Sequence, residues 1–272
     1  VFADLGELGR AEAARAEALR LGKRFGVEDW VRWIRSDQVW GLYFQGEWDE
    51  ALEQLNAILP EAADRGFWIE TPLRWLRGRI RLARDEVRGA QEDAERGLDR
   101  AEAAKDPQVL WPALAFGARA VAGTDREHAG RLASELLSDW QDHDLGIGGE
   151  MAWLSDIAVA LVALGQDTEL VALVDGSRIK TRWRKAAAAY ISGDFQAAAA
   201  EYSAIGALPE EADARLRAAE RLFGEDRRAE ADAELNRSLA FWRSVGATAY
   251  VGQGEALLTT GASADAGRSG RS

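Results

Sequence analysis

His128 and His143 are the only imidazoles in this 272-residue chain, which has no cysteine. Asp142-His143-Asp144 sets a carboxylate on each side of an imidazole, and such a cluster holds a cation only when further ligands converge. No His-Glu-x-x-His helix supplies them, and His128 falls in a different stretch of the chain. A serine nucleophile would want a Gly-x-Ser-x-Gly elbow, and none occurs. Gly22-Lys23 is followed by Arg24 and Phe25 rather than by a hydroxyl residue. Gly146-Ile147-Gly148-Gly149 has no strand before it and reads as a loop, so neither segment is a phosphate loop. The missing cysteines exclude thiolate zinc sites, a disulfide framework and cysteine catalysis. From these residues we expect no catalytic residue, no metal site and no cofactor.

The aromatic and guanidinium groups suit recognition better than bond-making. There are 11 Trp against 4 Tyr, and Trp30, Trp33, Trp40, Trp48, Trp68 and Trp75 cluster early. On a helix from about Glu28 to Phe44, Trp33, Trp40 and Phe44 share a face. That face either packs as core or, with Tyr43, lines a groove for a peptide or helix, to which Trp75 and Arg79 would add. Arg74, Arg77, Arg81, Arg84 and Arg88 recur at steps of three or four residues as a basic stripe on one helix. A second basic stretch is Arg178, Lys180, Arg182, Arg184 and Lys185. Such stripes either pair with neighbouring acids, here Asp93, Glu95 and Asp99, or anchor an acidic partner or phosphate.

The elements that must position these groups are helices. Ala, Leu, Arg and Glu dominate, all good helix formers, and strand signals are scarce. One phrase recurs: a helical stretch, a short polar or Gly-bearing turn, then an Ala opening a second helix. Gln45-Gly46-Glu47-Trp48-Asp49-Glu50-Ala51 and Ser192-Gly193-Asp194-Phe195-Gln196-Ala197-Ala198 are the clearest copies. Looser ones centre on Ala14, Ala90, Ala129, Leu170 and Ala231. The physical reading is a helical hairpin: Gly lets the chain reverse, Ala lets two helices approach closely, and Trp48 or Phe195 fills the wedge beneath the turn.

Gly-x-aromatic-x-x-Ala in a helical pair of this length resembles the tetratricopeptide repeat, with Val39 and Leu42, or Ala186 and Ala189, where that family has Gly and Tyr. Three phrases extend the resemblance along the chain: Gly46-Glu47-Trp48-Asp49-Glu50-Ala51-Leu52, Ala103-Ala104-Lys105-Asp106-Pro107-Gln108-Val109-Leu110 and Ala240-Phe241-Trp242-Arg243-Ser244-Val245-Gly246-Ala247-Thr248. They are similar to the C-terminal helical-repeat region of bacterial signalling proteins that join a nucleotide-cyclase or transcription-activator domain to an AAA-type ATPase. The resemblance implies an all-α, tetratricopeptide-like superhelix (an α-solenoid) of about six or seven hairpins. It also implies a cytoplasmic sensor or scaffold whose partner is a protein or peptide, including upstream ATPase or cyclase domains of one parent chain. Any ATPase or cyclase activity would then belong to those other domains. The alternative function is a receptor for a small-molecule effector held in the concave groove.

Charge and length fit this reading. A net charge of −12 argues against a sequence-independent grip on nucleic acid, and no apolar run reaches membrane-spanning length. One array is expected over residues 1–258, its first repeat truncated. Residues 259–272, rich in Gly, Ser, Ala and Arg, are expected to form a disordered tail.

Overall fold

The computed structural model describes residues 2–63, 67–142, 152–166, 168–176 and 180–269. The described residues form helices and turns and no strand. The first helices are α1 (Leu8–Phe25), α2 (Glu28–Gln45), α3 (Trp48–Ala63), α4 (Phe67–Ala83) and α5 (Val87–Ala104). Then come α6 (Pro107–Val121), α7 (Arg126–Asp142), α8 (Trp153–Leu164), α9 (Thr168–Gly176) and α10 (Arg182–Ile191). The last are α11 (Phe195–Ile205), α12 (Leu208–Gly224), α13 (Arg228–Ser244) and α14 (Thr248–Ser269). The final helix therefore continues through most of the 259–272 segment that composition marks as a tail.

The recurring small residue has one structural meaning. Ala51, Ala90, Ala129, Ala198 and Ala231 each stand fourth in an odd-numbered helix, and all are fully buried, as is Leu170 of α9. Five residues before each of several of these positions the backbone turns left-handed, at Gly46, Gly165 and Gly193 and also at Asp85 and Asp226. Asp tolerates positive φ better than most side chains, which is why two copies dispense with Gly. The same rule moves the first copy. Gly6 has φ +79°, whereas Gly9 is helical, so the equivalent of Ala51 is Ala11. Ala11 is buried and Ala14 is exposed, which corrects the register read from Leu8-Gly9.

At the clearest turn, the Gly46 N–H closes on Tyr43 O and the Glu47 N–H on Leu42 O. Trp48 then folds under it, stacked on Tyr43 with ring centroids 5.5 Å apart and its indole N–H on Tyr43 O at 3.0 Å. Gly78 serves packing instead: a Cβ there would stand 2.5 Å from Phe116, so α4 and α6 could not approach as they do.

Consecutive helices other than α8 and α9 pack on one another, and the even-numbered helices also pack side by side, α2 on α4, α4 on α6, α6 on α8 and α8 on α10. The row then returns on itself. α12 touches α2, and α14 reaches both α4 and α12. Residues distant in sequence meet across this closure: the Arg84 guanidinium donates to Val245 O at 2.8 Å, and Gly46 lies against Phe241. The even-numbered helices consequently face a shared interior, and the side chains they send there decide what the molecule can do.

Candidate functional site

The interior contains charges. Asp156 sits in α8, whose sequence WLSDIAVALVAL is otherwise nearly all apolar, and it is completely buried. Its carboxylate accepts from the Trp75 indole N–H at 2.6 Å and from Arg119 Nη1 at 2.6 Å, and Arg79 Nε lies 3.4 Å away. Arg79 turns its other end to Glu210, donating Nη2–H to Oε1 at 2.7 Å. Arg119 donates through Nη2 to the Tyr250 hydroxyl at 2.5 Å. Tyr190 donates to Asp213 Oδ2 at 2.7 Å. A buried ion is tolerated only when paired and hydrogen-bonded, and four even-numbered helices, α4, α6, α8 and α12, supply these charges to one another.

A chamber of about 20 Å³ remains at the centre, about the room a single water needs. The chain has four tyrosines, and all four, Tyr43, Tyr190, Tyr202 and Tyr250, line this one chamber with Arg79, Arg119, Glu210, Asp213, Trp48 and Trp242. Besides Arg79 Nε, which keeps only its 3.4 Å ion-pair contact to Asp156, four buried polar atoms on its wall have no hydrogen-bond partner: Arg79 Nη1, Glu210 Oε2, Tyr202 OH and Trp242 Nε1. Burial pushes every one of the four phenols above the ordinary tyrosine value. It also raises the Glu210 carboxyl, against the opposing pull of Arg79. For Arg79 burial works to weaken the charge, but Asp156, Tyr43 and Glu210 outweigh it and the guanidinium is held charged. Beyond the chamber a wider vestibule of about 390 Å³ shares Arg119, Val159, Tyr190, Asp213 and Tyr250 with it and adds Arg217, Gln253 and the apolar Leu82 and Val162.

The residues singled out from sequence distribute over three settings. Trp40, Tyr43, Phe44, Trp75 and Arg79 are buried, and they meet: Trp40 touches Tyr43, Phe44 and Trp75, and Arg79 lies 5.0 Å over the Tyr43 ring. They form the chamber's wall and backing and present no outer face. Trp33 is separate, 49% exposed near the start of α2.

Most of the basic stripe is tied up internally. Arg74, Arg77 and Arg81 converge on the buried Asp93 at 3.2, 2.6 and 2.7 Å, and Arg74 also holds Glu70 at 2.6 Å. Arg84 pairs with Asp49 at 2.7 Å. Arg88 projects into solvent beside Glu92. Of the second basic stretch, Arg182 pairs with Glu201, Arg184 is buried over the Trp140 ring and Arg178 lies outside the described residues. His143, Asp144 and the 146–149 glycine segment also lie outside them. Among the described residues no group of His, Asp or Glu is arranged to hold a metal ion, and no helix is long and apolar enough to cross a membrane.

A second surface stands out at the α1–α2 turn. Phe25, Val27, Trp30 and Trp33 are 69%, 42%, 61% and 49% exposed, four of the large apolar side chains left in solvent among the described residues. Trp30 and Trp33 meet edge to face at 6.0 Å, and Arg24 covers the Phe25 ring at 5.5 Å. Lys23, Arg24 and Arg35 are exposed around them. Arg32 and Arg35 also edge a groove of about 210 Å³ floored by Ala57, Ile58, Ala62 and Ile69.

Sequence reasoning reached Tyr43 and Arg79 of the chamber wall and missed Arg119, Tyr190, Tyr202, Glu210, Asp213 and Tyr250, as well as Asp156 behind it. One signal was present: an Asp within the apolar run of α8 must be buried and so must find partners. Compared with known proteins, the chain matches no family model and no curated protein sequence.

Proposed function

We propose that the chain is a non-catalytic, tetratricopeptide-like helical-repeat module that binds a protein partner, the sensor or scaffold portion of a bacterial, cytoplasmic signalling ATPase. The observation that carries this reading is the exposed aromatic cluster Phe25, Val27, Trp30 and Trp33 at one hairpin turn, ringed by Lys23, Arg24 and Arg35. Exposed aromatics with arginine are the usual anchors of protein interfaces. The surround carries a small basic excess, Lys23, Arg24, Arg32 and Arg35 against Glu28 and Asp29, and on a chain of net charge −12 this favours a partner segment that is acidic and carries apolar anchors of its own. The recurrence of a buried residue at the equivalent position of seven odd-numbered helices, Ala in six and Leu170 in one, supports the repeat class. The arginine-rich wall of α4 is spent on Asp93 and Glu70, so docking centres on α1 and α2 rather than on Arg74 to Arg88.

The test is a photo-crosslinking residue at position 33 in the natural full-length protein. We expect an adduct with a defined partner or a domain of the parent. Trp30→Ser/Trp33→Ser, with an unchanged melting temperature, should then bind that species at least ten-fold more weakly. Unchanged affinity would refute docking at this surface. A parent whose ATPase rate ignores deletion of the module would refute its regulatory role.

A further inference from the structure

The central chamber has features that partner docking does not use. A buried polar atom without a partner is costly, and native proteins keep few of them. Here four such atoms line one space, on side chains at least 95% buried: Arg79, Glu210, Tyr202 and Trp242. Their chemistry is complementary. Arg79 Nη1 and Trp242 Nε1 can only donate, Glu210 Oε2 accepts, and the Tyr202 hydroxyl does either. Arg79 and Glu210 already hold each other through Nη2 and Oε1 at 2.7 Å, so one open donor and one open acceptor belong to a single ion pair.

The charges around the space balance. In the chamber lining Arg79 and Arg119 stand against Glu210 and Asp213, and in the vestibule lining Arg119 and Arg217 stand against Asp85 and Asp213. A ligand with net charge would leave an uncompensated ion in a low-dielectric interior, whereas a net-neutral one would not. We propose that the chamber and its vestibule are a binding site for a small net-neutral molecule that carries accepting oxygens beside an N–H or O–H donor, the chemistry of a compact amino acid or polyol. Oxygens of the ligand take the Arg79 and Trp242 N–H groups, and its donor takes Glu210 Oε2. Tyr202 completes the set.

Access is through the vestibule. The chamber alone admits little more than a water, and the side chains between the two spaces include the Arg119–Tyr250 pair. Tyr250 belongs to α14, which is held across the vestibule by Tyr250 to Arg119 and by Arg217 donating to Gln253. Movement of Tyr250 joins chamber and vestibule into one cavity.

The experiment is calorimetry and thermal denaturation of the full chain with five probes, each up to 10 mM: glycine, L-serine, glycerol, acetate and methylammonium. We expect at least one of the three net-neutral probes to bind saturably and raise the melting temperature. We expect Tyr202→Phe, which deletes one polar atom and keeps the ring, to weaken that binding at least ten-fold while the unliganded protein melts no lower than the parent. Trp242→Phe, which removes the indole N–H together with part of a buried ring system, should weaken it as well but at a cost in melting temperature. Tyr250→Phe should speed association and dissociation together, because it removes the bond to Arg119 without touching the four open atoms. The proposal is overturned if no net-neutral probe binds, if acetate or methylammonium binds instead, or if binding is indifferent to Tyr202→Phe. These results are independent of the Trp30/Trp33 variants, so failure here leaves the partner surface standing, and the reverse.

Discussion

Trp33 and Trp40 stand seven residues apart on one helix and on one helical face, yet they live in different media. Trp40 is 3% exposed and packs on Tyr43, Phe44 and Trp75; Trp33 is 49% exposed and touches Trp30. The same contrast holds for ion pairs. Arg32 pairs with Asp29 at the open end of α2, where the Asp29 side chain is 93% exposed, and Arg119 pairs with Asp156 where the carboxylate is fully buried. The difference teaches that residue type and periodicity define a face, whereas its depth depends on where the other helices end. In the C-terminal half of α2 Trp40 meets Trp75 of α4, whereas near its start Trp30 and Trp33 stay exposed among the described residues.

The sharpest way to break the comparison is to delete the two aspartates. Asp156→Ala leaves Arg79 and Arg119 short of their shared anion and the Trp75 indole N–H without its acceptor. Removing one partner of a buried pair costs about 3–5 kcal/mol, and urea denaturation should show a loss of that size. Asp29→Ala removes an exposed pair and should leave the midpoint where it was. If the two variants behave alike, the interior is wetter than its burial indicates.

The tryptophans come next. Trp40→Ala should cost about 3–5 kcal/mol, the range for a buried aromatic truncated in a core. Trp33→Ala should fall within about 0.5 kcal/mol of the parent, as surface changes do. Acrylamide quenching sharpens the same point: Trp33→Phe should remove a strongly quenched component and Trp40→Phe a shielded one. Equal losses of stability would mean that Trp33 is covered in solution and that the proposed docking surface is occupied.

Alkali probes the chamber through its phenols. All four tyrosines have values raised by burial, so the folded state keeps its phenolic protons when an unfolded chain has lost them. Folding then binds more protons, and stability falls as pH rises above about 10, the unfolded value, by up to roughly 1.4 kcal/mol per pH unit for each phenol. Absorbance at the tyrosinate band should stay flat and then rise in one step together with loss of helix. A gradual titration below unfolding would show that water reaches the phenols.

How much of this was legible depended on sequence range. The helices, the turns and the buried small residue were readable because each rests on local rules. Gly46 and Trp48 fix one hairpin within six residues, and only the register at Ala11 needed the Gly6 backbone to settle it. That the chain would close, α12 onto α2, was not readable, because no residue near Glu210 or Asp156 states which distant helix it will meet. The Arg74 to Arg88 run illustrates the limit. Its spacing was real, but the burial of Asp93 between three guanidiniums drew Arg74, Arg77 and Arg81 into internal structure, while Arg88 stays in solvent. The aromatic groove likewise became wall, since the face that could have held a peptide is filled by helices of the same chain.

The smallest effect is the most specific to the chamber. Burial raises the Glu210 carboxyl above its ordinary value of 4.5, with Arg79 opposing and Asp156 adding to the rise, while Tyr202 and Asp213 line the same space. A carboxyl with a raised value binds its proton more tightly folded than unfolded. Its contribution is therefore complete below about pH 4.5 and is lost as pH rises through the folded value, with a slope of at most about 1.4 kcal/mol per pH unit. Glu210→Gln has no proton to lose and still offers Arg79 an amide oxygen. The stability of the parent relative to Glu210→Gln should decline between pH 4.5 and the folded value and run level above it, measured by urea denaturation at half-unit steps. If the difference instead grows with pH, the Arg79 charge dominates burial at this carboxylate. The Arg79–Glu210 ion pair would then persist to lower pH than an ordinary carboxyl allows.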